Sequence, residues 1–143
     1  MSRFLAVLVV LAVTLASCSA QDTEPSGDGN GSQSVARGEA VYEANCMRCH
    51  GGAEGGIISD MPPRHNAEGH TWHHADCDLL EIIADGLPDR PGLPDGVPTM
   101  PAFGDDLETE DKRAVLAFIK TWWTSDQRSF QQQVTEQVCN ASS

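Results

Sequence analysis

Basic side chains are scarce in this chain: its 143 residues hold 9 Lys and Arg against 21 Asp and Glu, a formal net charge of −12 at pH 7. Such a surface repels a phosphate backbone, which excludes nucleic acid as a partner. Long apolar runs are scarce too. The longest, Phe4 to Ala16, is interrupted by Thr14 and falls short of the roughly 20 residues that a spanning helix needs. No stretch alternates apolar and polar residues convincingly, so the signal for a half-buried strand is missing. Cysteine is limited to five residues, and the position of each asks for a reason.

Met1-Ser2-Arg3 places one positive charge ahead of the apolar run. A basic start and a short apolar core read as an export signal, outside the fold. The run ends in "LASC", Leu15 to Cys18. This resembles the bacterial lipobox, whose Cys is lipidated and becomes the new amino terminus. Residues 1–17 are then a lipoprotein signal peptide and Cys18 the lipidation site. The alternative is ordinary cleavage near Ala20, which leaves Cys18 behind. From Ser19 to Ser34 there is no large apolar residue. Residues 18–34 are therefore expected to be a flexible Gly/Ser/Asp-rich tether, reaching about 20 Å. The expected location is outside the cytoplasm, lipid-anchored, in the periplasm or on the outer face of the cytoplasmic membrane.

Residues 35–124 are expected to form one domain of three helices joined by Gly- and Pro-rich loops. In "VARGEAVYEANCMRC", Gly38, Tyr42, Cys46 and Cys49 recur at helical spacing. In "DCDLLEIIADG", Asp76 suits the N-cap, Leu79, Leu80 and Ile83 form the apolar stripe, and Gly86 ends the helix. In "TEDKRAVLAFIKTWW", Thr109 caps, Glu110 and Asp111 favour the positive end, and Val115, Phe118, Ile119 and Trp122 form the buried face. Three such helices make a thin core, and something large and apolar is missing from its centre.

The stretch "NCMRCHG", Asn45 to Gly51, supplies a candidate. Cys-x-x-Cys-His is the pattern of covalent haem attachment. Two thiols at this spacing, Cys46 and Cys49, reach the two vinyl groups of one porphyrin, and His50 is then aimed at the iron. Met100, in "VPTMPAFG", is the candidate sixth ligand; a thioether opposite a His raises the potential and closes the iron to substrate. A structural zinc would need four ligands, with the second pair taken from His65, His70, His73 and His74. That arrangement is the less economical.

The segments "GEAVYEANCMRCHG", "MPAF" and "DKRAVLAFIKTWW" resemble the single-domain class I c-type cytochromes, over about Val35 to Trp123. The resemblance implies an all-α fold, with three main helices wrapped around one covalent haem c; beyond it the tail's own pattern predicts a short C-terminal helix, at 125–143. The resemblance implies Gly38 and Tyr42 packed against Phe118 and Val115 of the last main helix. It also implies a Pro carbonyl that accepts a hydrogen bond from His50, with Pro62 at the right distance and Pro63 as its rival. The function implied is single-electron transfer by a non-enzymatic monomer that meets redox protein partners. A haem enzyme or a gas or redox sensor with a labile sixth ligand is the alternative, as is a metal-binding protein that uses the His-rich loop.

That loop, "RHNAEGHTWHHAD", has two readings. In one it lines the haem edge, with Trp72 and Arg64 meeting the propionates. In the other His65, His70, His73 and His74 hold a second metal, since imidazole suits copper and zinc. With Cys18, Cys46 and Cys49 assigned, Cys77 and Cys139 remain as a disulfide or as two free thiols. The helix "SDQRSFQQQVTEQVC", with Phe130, Val134 and Val138 on one face, would dock to bring them together. Asp89, Asp95, Asp105, Asp106, Glu108, Glu110 and Asp111 flank Met100. They form a solvated acidic surface or steer a basic docking patch on the partner.

Overall fold

The computed structural model describes residues 28–54, 62–88 and 99–141. The expected signal peptide, Cys18, tether residues 19–27, Asp89 and Asp95 lie outside the described residues. Among the described residues the regular structure is helical, with no strand. No helix among them is long and apolar enough to cross a membrane. In chain order the helices are α1 (Asp28–Asn45), α2 (Met47–His50), α3 (Asp76–Asp85), α4 (Thr109–Ile119) and α5 (Ser125–Cys139). Short 3-10 turns occupy Thr71–His73 and Lys120–Trp122.

The largest helix contact is α1 on α4. It is set by Gly38, where a Cβ would lie 1.9 Å from the Ala114 carbonyl oxygen and 2.9 Å from the Phe118 Cβ. Only a residue without a side chain lets the two backbones approach this closely. One turn on, Tyr42 is 1% exposed and sits in the resulting core with Leu79, Val115, Leu116, Phe118, Ile119 and Trp123. The Tyr42 ring meets Phe118 at 5.6 Å and Trp122 at 5.2 Å, edge to face in the latter case. Helix α1 begins at Asp28, upstream of the Val35 expected from sequence, so residues 28–34 are helical rather than tether. Val35 still packs against the core. Once the segment beyond it is docked, extending the helix backwards requires only propagation, without a new nucleus.

Several boundary residues differ from expectation, and at Asp76 tertiary partners replace the local cap. Ala75, not Asp76, precedes α3. The Asp76 carboxylate instead receives Lys120 Nζ at 2.6 and 2.7 Å, and also Gln131 Nε2. Glu108, not Thr109, is the N-cap of α4, with no side-chain cap. The tighter 3-10 turn after Ile119 advances the register, so Trp123 is buried (3% exposed) while Trp122 is half-buried. Trp123 Nε1 donates to the His65 carbonyl at 2.7 Å.

Helix α5 starts from a capping box formed by Thr124 and Gln127. Only part of the expected stripe docks: Phe130, although 45% exposed, meets Trp72 and His73 edge to face at 5.7 and 5.9 Å, whereas Val138 is 38% exposed and the buried position is Gln131, 2% exposed. Gln131 Nε2 donates to the His74 carbonyl and to Thr135 Oγ1, and Gln127 Nε2 donates to the Ala67 carbonyl at 2.8 Å. The helix lies on backbone carbonyls of an irregular loop, so amide side chains dock it where an apolar face would leave those groups unpaired. Cys77 and Cys139 form a disulfide, S–S 2.08 Å, that ties the end of α5 to the start of α3.

Two changes test this account. Gly38→Ala is expected to destabilise the protein by about 3 kcal/mol in urea unfolding, the upper range for forced overpacking. Gly31→Ala, where nothing lies within 4 Å of the new Cβ, should stay within about 1 kcal/mol of the parent. Replacing Cys77 and Cys139 by Ser opens a loop of 62 residues. This should cost about 4 kcal/mol on the chain-entropy account, read as a lower urea midpoint that reductant does not lower further.

Candidate functional site

Asn45 to Gly51 forms the site because the chain breaks helix at Cys46 and re-forms it at once. Cys46 has φ −112° and lies between α1 and α2, and the amides of Cys49 and His50 both donate to its carbonyl, at 3.0 and 2.9 Å. This single turn holds Cys46, Cys49 and His50 together. It ends at Gly51, whose φ of 73° and ψ of −174° lie in a region essentially closed to residues with a side chain. Tyr42 Oη donates to the Gly51 carbonyl at 2.8 Å. The turn is thus fastened to the α1–α4 core just beyond its last functional residue. Burial raises the Tyr42 pKa, so the phenol stays a donor.

His50 is 7% exposed. Its Nδ1 lies 2.9 Å from a carbonyl oxygen, that of Pro63 and not of Pro62. The rival is preferred because the sequence count gives only the distance along the chain, whereas the carbonyl direction depends on how the loop turns. A carbonyl can only accept, so Nδ1 carries the proton and Nε2 presents a lone pair. Burial lowers the His50 pKa, with the Pro63 bond partly opposing it, and the ring is in the neutral form that binds a metal. Burial also pushes the Cys46 thiol up to about 11, with Cys49 adding to the effect. Cys46 and Cys49 are free, while the other two described cysteines are bonded to each other. Two unbonded thiols and one oriented imidazole within a turn are the donor set of covalent haem attachment, and these residues fit that group.

Met100 lies on the strap that closes α3. Its carbonyl accepts from the Leu87 amide at 3.0 Å, and Phe103 and Gly104 donate to the Ile83 and Ala84 carbonyls at 3.0 and 2.8 Å. Those carbonyls belong to the last turn of α3, which has no partner of its own. Spare backbone valence at a helix end therefore positions the strap. Met100 is half-buried.

The His-rich loop is a structural element held by α5 and by Trp123. His65 is half-buried, with Nδ1 2.9 Å from Thr71 Oγ1 and its ring stacked on that of His50 at 4.3 Å. Burial, together with His50 and His70, lowers its pKa to about 3. His70 meets His74 edge to face at 5.6 Å, and His73 lies against Trp72 at 3.6 Å. Among the described residues no three His, Cys, Asp or Glu converge to hold a metal ion, so the second-metal reading is corrected. The rings are turned towards separate partners. The Trp72 indole N–H is likewise committed to the Gly69 carbonyl at 2.9 Å, which removes the donor that a propionate contact needed. Arg64 lines a cleft of about 360 Å³ with Glu54, Asn66, Glu68 and Trp122. Asn66 spans from this loop back to the Ala53 carbonyl at 2.8 Å. Thr71 and Gln131 were not legible as organising residues, because their partners are distant in sequence.

The family described as "Cytochrome C oxidase, cbb3-type, subunit III" matches residues 33–119. Among curated proteins, the "Cbb3-type cytochrome c oxidase subunit FixP" of Rhizobium meliloti (strain 1021) is 31% identical over 86 residues. These cover 59% of this chain and 29% of that protein, so the chain spans less than a third of that relative's length. No solved structure matches the chain. The family match runs from within α1 through the Cys-x-x-Cys-His turn and the Met100 strap to the end of α4. The chain therefore belongs to the cbb3-type cytochrome c oxidase subunit III family, with the all-α fold of a c-type cytochrome.

Proposed function

We propose that this chain is a single-electron carrier holding one covalent haem c. The observation that carries the reading is the turn in which two free thiols accompany an imidazole whose Nδ1 is locked by the Pro63 carbonyl. Cys46 and Cys49 would hold the porphyrin as thioethers, and His50 Nε2 and Met100 would supply the ligands to its iron. When bound, the group supplies a ferric/ferrous couple, and a His/Met pair holds its potential high and leaves no position for substrate. The protein's own part is to keep His50 neutral, buried and oriented, an outer-shell contribution that conserves ligand geometry through the redox change. Arg64, on the wall of its cleft, is the basic side chain proposed to meet a propionate.

In this reading residues 1–17 are the signal peptide and Cys18 carries the lipid. Residues 35–124 form the haem domain and residues 125–143 the extension that clamps it. The protein is then a monomer tethered outside the cytoplasmic membrane, in the periplasm or on its outer face. Its partners are redox proteins, in keeping with a relative named as an oxidase subunit. Asp105, Asp106, Glu108 and Glu110 are exposed just beyond Met100. They would steer a basic patch on a partner towards the haem, and the electron-exchange rate should then fall as ionic strength rises.

Expression with a c-type cytochrome assembly system should give a red protein with one iron per chain, its colour surviving acid–acetone extraction. A colourless, stably folded product from that host would overturn the reading. The reduced protein should bind carbon monoxide poorly at neutral pH. Met100→Leu should abolish the sulfur-to-iron charge-transfer band of the ferric form, lower the midpoint potential and admit carbon monoxide. Met100→Leu with an unchanged spectrum would remove Met100 from the iron.

A further inference from the structure

We propose that His65 is a positioning residue for His50: its ring stacks on the His50 ring and fixes that ring's rotation. The inference rests on the haem reading above and goes beyond it, because it concerns a side chain that is neither an attachment residue nor a proposed iron ligand. The argument starts from what the Pro63 carbonyl leaves undone. A hydrogen bond to Nδ1 lies in the imidazole plane and fixes one direction. Rocking of the ring about that line remains free, and only contact with the ring's face removes it. His65 supplies that contact, with ring centroids 4.3 Å apart and planes inclined by 25°.

The neighbour is itself held from several sides. Thr71 Oγ1 donates its single proton to the Arg64 carbonyl at 3.2 Å. It must then accept from His65, which places the His65 proton on Nδ1 at 2.9 Å. The His65 carbonyl accepts from Trp123 Nε1 at 2.7 Å, and the Tyr42 ring stands edge-on to His65 at 6.1 Å. His65 is therefore held by Trp123, beyond α4, through its backbone and by the central Tyr of α1 at its ring. Pro63 and His65 are two residues apart, so one short segment provides both the in-plane bond and the face contact to the same imidazole. A residue that only filled space would require neither a fixed tautomer nor a stacked plane. The orientation of an axial imidazole sets the splitting of the iron d orbitals, so an outer-shell residue that controls it acts on the metal's electronic properties.

The test uses the haem-loaded full chain with His65→Ala, His65→Phe and Thr71→Val. His65→Ala is expected to change the ferric low-spin EPR anisotropy and the spread of haem-methyl NMR shifts, and to move the midpoint potential. His65→Phe, which keeps a flat ring, should return the EPR and NMR patterns most of the way to the parent. Thr71→Val, which frees the stacked ring without deleting it, should give a smaller change in the same sense. A lower melting temperature in His65→Ala with parental EPR, NMR and potential would overturn the proposal, leaving His65 as core filling. If His65→Ala yields no holoprotein, Thr71→Val decides: parental spectra there overturn the proposal. Absence of covalent haem from the unmodified chain would instead overturn the haem reading itself, so the two failures are distinguishable.

Discussion

The close crossing of α1 over α4 at Gly38 is the constraint from which the rest of the structure follows. Backbone contact there, with no Cβ between, places Tyr42 one turn later against Phe118 and Trp122. Tyr42 then reaches past the end of its own helix to the Gly51 carbonyl. The functional turn is thereby suspended from the best-packed part of the molecule and not from a loop. Geometry at a redox centre needs this arrangement, because a ligand is only as well placed as the side chains that hold it.

A second layer of constraint comes from polar groups. The chain between His50 and α3 is irregular, and its carbonyls need donors. Pro63, Arg64, His65, Ala67, Gly69 and His74 each have a carbonyl taken by a side chain: His50, Thr71, Trp123, Gln127, Trp72 and Gln131 respectively. Three of those donors lie beyond α4. The region after α4 therefore holds the loop that carries Pro63 and His65, even though Phe130 remains 45% exposed. The disulfide secures α5 covalently, and the Lys120–Asp76–Gln131 network links α3, the end of α4 and α5 at one point.

Two of the expectations from composition turn on the same physics. The His-rich loop has the residue types of a metal site, yet its rings are spent on Thr71, on Trp72 and on each other. An amphipathic stripe on α5 was legible and its Phe130 meets Trp72 and His73, yet the most buried position is Gln131, since it meets backbone oxygens. In both cases residue type gave the chemistry on offer, and the docked neighbour decided which offer was taken up.

Some properties of this protein were determined by sequence alone, because they depend on covalent spacing within a turn or two. The Cys46-x-x-Cys49-His50 arrangement, the helical periodicity of α1, α3 and α4, the Gly38–Tyr42 pairing on one face and the net acidity are of this kind. Other properties needed the folded chain, because they join groups 13 to 58 residues apart. Pro63 rather than Pro62 meets His50, Trp123 rather than Trp122 is buried, Asp76 pairs with Lys120 and does not cap α3, and His65 lies on His50. Local sequence settles what a residue can do, since that follows from its own atoms and nearest neighbours. Which partner it takes is settled only when distant segments compete for the same donor, acceptor or ring face.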